Sequence, residues 1–377
     1  MMRTRVTRPK RDGRSFIMVA AFVALPALLA ACDDANRAPT SPAAAPHPVL
    51  GTSGGSYVAV DMGTLPYTMR SQADAINDSG FAVGASGNIA DDMRPVMWPS
   101  WSVPVALPMP AAARHGEAFA INNAREMAGY VNVNGYDRAI RWRIGFAPQD
   151  IGTLGGLQAR GRGINSAGTI AGWATVANGH EYAFRWTPLG GMIKLSALSD
   201  VLYAAEAWAI NDSGTAVGFS TDSSNNQHAV RWTPSGQLQV LPSLGGKNSM
   251  AYAIASDGSI VGWAQTSAGV TQAVRWLPNG SMIAYGTLPG GTQSIAMGIA
   301  IGKSWSPFVQ PPVYVVGLSD PGTQGFYTDP WPTALPPLFA PMNYFARDVN
   351  SCGDIVGTGE ASSGYSHAVR WTRGGCP

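Results

Sequence analysis

Charged residues are scarce: Asp, Glu, Lys and Arg make up 13% of the 377 residues, about half the share of an average domain. With 45% hydrophobic residues, that excludes a disordered acidic or basic chain. Histidine is also scarce. The five residues His47, His115, His180, His228 and His367 are scattered, without HExxH or CxxC spacing, so no metal site is expected. There is no glycine loop followed by Lys-Ser/Thr, no GxSxG elbow, no dinucleotide fingerprint and no DxDxDG density. No cofactor is therefore expected. The 45 glycines keep no three-residue period, which excludes collagen, and with 12 tryptophans they disfavour a helical bundle.

What is present begins with a leader. Residues 1–14 carry six basic side chains against Asp12, and an apolar run from Phe16 to Ala31 follows. This reads as a secretory signal peptide over 1–31. Leu29-Ala30-Ala31-Cys32 resembles a bacterial lipobox, which implies lipidation of Cys32; an ordinary signal peptide or an uncleaved anchor is the alternative. Removing 1–31 takes basic residues from 25 to 19 and acids from 23 to 22, so net charge goes from +2 to −3. No basic surface for nucleic acid survives. Residues 32–56, rich in Pro, Ala, Ser and Gly, read as a tether. The expected address is the bacterial cell envelope, exported and lipid-anchored.

The remainder, 57–377, is one unit written repeatedly. AxAINxxGxxxG recurs at 73–84, 118–129, 161–172, 207–218, 251–262 and 346–357, with a degraded copy from Met297. A second element ends at Trp98, Trp142, Trp186, Trp232, Trp276 and Trp371; the gaps are 44, 44, 46, 44 and 95 residues. The last gap is two periods with one tryptophan lost near Thr328, so the count is seven. AxAIN alternates like a strand, NDSG is a turn, xxVG and AVRW are two more strands, and a Pro-x-Gly turn leads to a fourth. Four-stranded antiparallel sheets at this period predict an all-β, seven-bladed β-propeller rather than a β-solenoid or a run of sandwiches. AxAIN, poor in bulk, should lie innermost. The folded part starts with SYVAVDMGTL (56–65), a lone fourth strand, and ends on a third strand. The N-terminal strand should therefore close the ring beside 346–372 and remove an open edge. Cys352 and Cys376 are positioned for a disulfide in that last blade.

IGTLGG (151–156), AINDSG (75–80 and 209–214), YAFRW (182–186) and HAVRW (228–232 and 367–371) resemble the extracellular HAF-repeat family, named for a His-Ala-Phe signature before a Trp. The resemblance covers about 57–376 and implies a secreted or envelope-associated repeat protein without assigned activity. His-Ala-Val stands for His-Ala-Phe here, and the unit 296–334 has lost the NxxG turn and the Trp.

Residues shared by every unit are read as structural: the tryptophans, the turn asparagines (Asn77, Asn122, Asn165, Asn211, Asn350) and the strand arginines (Arg141, Arg185, Arg231, Arg275, Arg370). Residues that differ between units are the candidate site. Inside AxAI these are Asp74, Phe119, Arg162, Trp208, Tyr252, Met297 and Arg347; in the preceding links they are Arg70, His115, Glu117, Arg160, Glu206, Asn248 and Tyr344. Aromatic platforms beside charges suit a glycan, peptide or protein partner. That set is expected to gather at the link end of the axial channel, pointing away from the membrane. The leading reading is a binding module. An enzyme would need an acid/base pair, for which Asp74 with Glu117 or Glu206 is the weak candidate, and an envelope spacer is the third possibility.

Overall fold

A computed structural model describes residues 57–88, 92–100, 103–304, 309–320, 323–328, 331–339 and 343–373. The leader, Cys32, the tether and Cys376 lie outside the described residues. Seven antiparallel sheets of four strands each are present, their strands ordered consecutively. Blades 1 to 6 span 70–106, 113–150, 155–194, 205–240, 245–286 and 294–334; blade 7 is 344–372 completed by Val58–Asp61. The protein is a seven-bladed β-propeller. Thr328 pairs at the strand end where the other blades place tryptophan.

The ring closes through the N-terminal strand. Val58 pairs with Thr372 and Asp61 with Val369. Met62 N donates to Ala368 O at 2.9 Å, Tyr57 Oη donates to Gly353 O at 2.9 Å, and His367 Nδ1 lies 2.8 Å from Asp61 Oδ2. Among the described residues, seven apolar clusters fill the seven blade interfaces, the last joining Ala73, Ile76 and Trp98 of blade 1 to Val356 and Ala368 of blade 7.

The repeated residues hold blade to blade. Each turn asparagine accepts backbone N–H groups of its own turn, as Asn77 Oδ1 does from Ser79 and Phe81. Its amide then donates to the next blade: Asn350 to Asn77 O (3.1 Å), Asn77 to Asn122 O (3.0 Å), Asn122 to Asn165 O (2.9 Å), Asn165 to Asn211 O (3.1 Å) and Asn211 to Ala255 O (3.3 Å). Blade 5 has Ala255 there, and Asp257 accepts the Ser259 N–H in its place. Buried tryptophans tie the links: Trp98, Trp142, Trp232, Trp276 and Trp371 each donate Nε1–H to a carbonyl of the preceding link at 2.7–2.8 Å. Two strand arginines pair within their own blade, Arg141 with Glu126 and Arg370 with Asp354 at 2.6 Å each, while Arg185 donates to Pro234 O of the next blade at 2.7 Å.

One regularity sets up the site. All seven inner strands carry a β-bulge at the variable residue of AxAI: the register breaks between Ala73/Ala75, Ala118/Ala120, Gly161/Gly163, Ala207/Ala209, Ala251/Ala253, Ala296/Gly298 and Ala346/Asp348. A bulge leaves one residue unpaired and re-aims its side chain. It also presses a backbone carbonyl onto the second strand, where a Cβ on Gly84, Gly129, Gly172, Gly218, Gly262, Gly317 or Gly357 would lie 1.9–2.0 Å from that oxygen. This accounts for the glycine of every xxVG segment. Gly218→Ala would put Cβ 1.9 Å from Glu206 O and is expected to cost about 2–3 kcal/mol, as overpacking of a tight core does. Denaturant unfolding checks this, with Gly236→Ala, whose Cβ would meet nothing within 4 Å, compared at its own positive-φ cost.

Candidate functional site

The seven bulge residues Asp74, Phe119, Arg162, Trp208, Tyr252, Met297 and Arg347 surround the axis and line one cavity of about 220 Å³. Its walls are small or aliphatic (Ala75, Ala120, Gly163, Ile121, Ile164, Ile210), with Asp348 among them. The cavity thus lies between the bulge ring and the isoleucines that follow it, on the side of the Asn turns. Glu117, Arg160 and Glu206, two residues earlier on their strands, do not line it and lie behind the ring, toward the links. The bulges set the floor of this cavity on the Asn-turn side, whereas the candidates were expected to gather at the link end of the channel.

The floor is held by contacts among its own members. Arg162 is stacked between the rings of Phe119 and Trp208, its guanidinium carbon 4.3 Å from each centroid. Trp208 meets Tyr252 edge-on at 5.1 Å, and Phe119 stacks on Tyr130 at 5.6 Å. Arg347 Nη1 lies 3.1 Å from Asp74 Oδ1, with the Asp74 side chain only 4% exposed. That contact is ionic without hydrogen-bond alignment: neither Asp74 oxygen has a hydrogen-bond partner when carboxyl groups are counted as acceptors only, and neither does Nε of Arg162 or Arg347. Behind the floor, Arg160 pairs with Asp137 and lies 4.1 Å over the Tyr130 ring, while Gln72 donates to Glu117.

Charge on the axis is unbalanced. With Arg160 committed to Asp137, the carboxyls of Asp74, Glu117, Glu206 and Asp348 face two guanidiniums, Arg162 and Arg347. Burial, followed by the negative charge of Asp74 and the hydrogen bond to it, pushes Glu117 up to about 8. Glu117 therefore keeps its proton at neutral pH and supplies Asp74 with a donor. Burial also raises Glu206, against the pull of Arg162 and Arg160. It lifts Asp348 to about 6, although Asp348 Oδ2 accepts Ile76 N–H of blade 1 at 2.9 Å. Burial drives Tyr252 up to about 12 and lowers Arg162.

The sequence-predicted candidates separate into three groups. Asp74, Phe119, Arg162, Trp208, Tyr252 and Arg347 come together on the axis, with Glu117, Arg160 and Glu206 behind them. Arg70 stands apart, 5.6 Å over the Tyr365 ring, while His115 joins the set only through Tyr130, whose ring it meets edge-on at 6.2 Å. Tyr344 is a correction. It is 6% exposed and packs beside Trp371 in the blade 6–7 core, because its place before the bulge turns it between blades. Asn248 is engaged within blades 4 and 5, accepting Gln227 N–H at 2.9 Å. Sequence reasoning missed Asp348; its signal was a carboxylate where the other copies have Ala75, Ala120, Gly163, Ala209, Ala253 and Gly298. Among the described residues no group of three or more His, Cys, Asp or Glu is arranged to hold a metal.

A scan against protein-family models and a search of curated proteins matched nothing. Among solved structures the chain is similar to the BP39L lectin from Burkholderia pseudomallei, at 11% identity over 86% of this chain and 97% of that one, TM-score 0.47. It is also similar to TolB from Acinetobacter baumannii, at 13% identity over 68% and 66%, TM-score 0.43. A third is puromycin hydrolase, at 13% identity over 78% of this chain and 50% of that one, TM-score 0.49. Likeness at this level concerns fold alone.

The raised Glu117 makes stability depend on pH with a defined sign. The unfolded chain releases this proton near 4.5 and the folded chain near 8, so stability falls as pH rises through that window and levels off above it. Asp348 acts the same way up to about 6 and Glu206 is raised in the same sense, but both are shared with a Glu117→Gln variant, so the difference between the two proteins reports Glu117. Glu117→Gln, neutral throughout, is expected to gain about 1–2 kcal/mol on wild type between pH 6 and 8.5; the ideal slope of about 1.4 kcal/mol per unit is reduced by residual exposure. Parallel melting curves of the two proteins over that range would contradict the assignment.

Proposed function

We propose that this protein is a membrane-tethered, extracytoplasmic binding module that takes the end group of a glycan, peptide or protein partner into its axial cavity. One observation carries the reading: at seven successive bulges the scaffold aims the variable side chain of AxAI at one cavity, while the repeated residues hold the ring. A fixed scaffold that converges variable side chains on one cavity is built as a recognition surface. The leader with Cys32, the tether over 32–56 and the resemblance to HAF repeats support the address, and a Cys352–Cys376 crosslink would suit an oxidising compartment. Cys352 N–H donates to Asn350 Oδ1 at 3.0 Å in the closing blade's Asn turn.

A second reading, hydrolysis, is favoured by the Asp74–Glu117 contact, since a carboxyl that keeps its proton near neutrality beside an ionised one is what acid/base chemistry uses. The cavity argues against it. Of the two carboxyls only Asp74 lines it, and Glu117 lies behind the floor where a bound group cannot reach it directly.

A glycan and peptide array tests the binding reading, using the purified chain and a Met297→Trp variant that fills the cavity floor without touching a charge. Binders of the wild type are expected to lose at least tenfold in affinity to Met297→Trp at unchanged melting temperature. Signals that survive the filled cavity would place recognition elsewhere and sink the proposal. Turnover of a bound ligand would favour the second reading.

A further inference from the structure

Resting on the reading of the axial cavity as a binding site, we infer that the group it accepts is a primary ammonium, seated against Asp74 and Asp348 with its carbon body on the aromatic and aliphatic walls. Asp74 is nine-tenths buried, lines the cavity and offers two oxygens that no aligned donor of the protein reaches, apart from the proton on Glu117. Asp348 lines the same cavity from the neighbouring position of the same channel, with one oxygen committed to Ile76 N–H. The remaining charged lining is Arg162, stacked between Phe119 and Trp208, and Arg347, paired with Asp74, while Trp208 and Tyr252 add rings of the kind that attract a cation or cover its alkyl part.

The sign of the ligand's charge follows from the inventory of every charged group around the floor. Blade 1 brings Asp74, blade 2 Glu117 and Asp137, blade 3 Arg160 and Arg162, blade 4 Glu206, and blade 7 Arg347 and Asp348. Blades 5 and 6 bring only Tyr252 and Met297 to the floor. Five carboxyls thus meet three guanidiniums. Beyond the cavity, Asp78 is satisfied by Ser351 N–H at 2.9 Å and by Asn123. The excess is negative, and at neutral pH the protein relieves part of it by retaining a proton between Glu117 and Asp74. A cation entering beside Asp74 does the same work electrostatically, so it displaces that proton: the ammonium enters charged and the Glu117 proton leaves to buffer. A carboxylate or phosphate ligand would add to the excess and would have to separate Arg347 from Asp74.

The chemistry is shared by two sources, an amino sugar and a lysine side chain, and both fit a cavity of about 220 Å³. The test is isothermal titration calorimetry of the full chain at pH 7 with propylammonium chloride, sodium propionate and propanol, each in two buffers of different ionisation enthalpy. Propylammonium is expected to bind with release of up to one proton, and the other two at least tenfold more weakly. Glu117→Gln should bind propylammonium without proton release, and Asp348→Asn should bind it at least tenfold more weakly. Asp74→Asn tests the central contact, but it leaves Arg347 buried without its partner and can fail to fold, so the other two variants carry the result. D-glucosamine against N-acetylglucosamine, and Nα-acetyl-lysine amide against its Nε-acetylated form, identify the source by which free amine binds. Binding of propionate or propanol as tightly as propylammonium would overturn the ammonium inference while leaving the cavity reading intact. Propylammonium binding that Met297→Trp does not weaken would show that the amine binds outside the cavity, and the inference would fall with it.

Discussion

Crowding at the axis governs this molecule. Seven inner strands must approach one line, and the sequence meets that demand with Ala or Gly on either side of a variable residue, Asp348 after Arg347 being the exception. The strand cannot pass that residue in regular register, so it bulges, and the bulge carbonyl takes the space a side chain would need on the second strand. Hence the glycine of xxVG, where any Cβ would come within 2.0 Å of that oxygen in every blade. Scaffold and site are therefore not separable: the feature that lets the blades pack is the one that turns Asp74, Trp208 and Arg347 inward. The Asn belt and the tryptophan–link hydrogen bonds fasten blades already brought close by these small residues.

Much of the architecture was legible because repetition makes it so. The count of seven, the lost tryptophan at Thr328, the innermost place of AxAIN and the closing strand at 58–61 all follow from aligning the units with one another. The bulge was not legible. AxAI alternates like any strand, and alternation alone gives no sign that Asp74 sits between two registers. For the same reason the cavity on the Asn-turn side of the bulge ring was not foreseen, and Tyr344, only three positions before Arg347, was expected beside the other candidates instead of against Trp371. Asp348 was overlooked because ARDVN was matched as a variant of AxAIN without asking what a carboxylate does where every other copy has Ala or Gly. The turn asparagines were read correctly as turn formers, but their donation to the next blade depends on how blades stack and has no signature along the chain.

The electrostatics run against the rest of the composition. In a chain with 13% charged residues, three arginines and five carboxyls gather behind and around one small cavity. Buried ion pairs of this kind are weak evidence for stability, since apolar side chains of similar volume often serve a core as well or better. Blades 5 and 6 show the alternative in the same ring, where Met250 and Ile295 occupy the places of Glu117 and Arg160 and are buried. The charged set on the other blades is thus not demanded by the fold, and a functional reason for it is the simpler account.

The central claim, that residues one repeat apart meet on the axis because each sits on a bulge, is tested most directly by nuclear Overhauser effects in a selectively labelled sample. Ring protons of Trp208 should show cross-peaks to the ring of Tyr252, whose centroid lies 5.1 Å away, and to the Arg162 side chain stacked between Trp208 and Phe119. If these cross-peaks are absent from a folded sample, and Trp208 instead contacts the strands of its own blade, the inner strands run in regular register and the account fails.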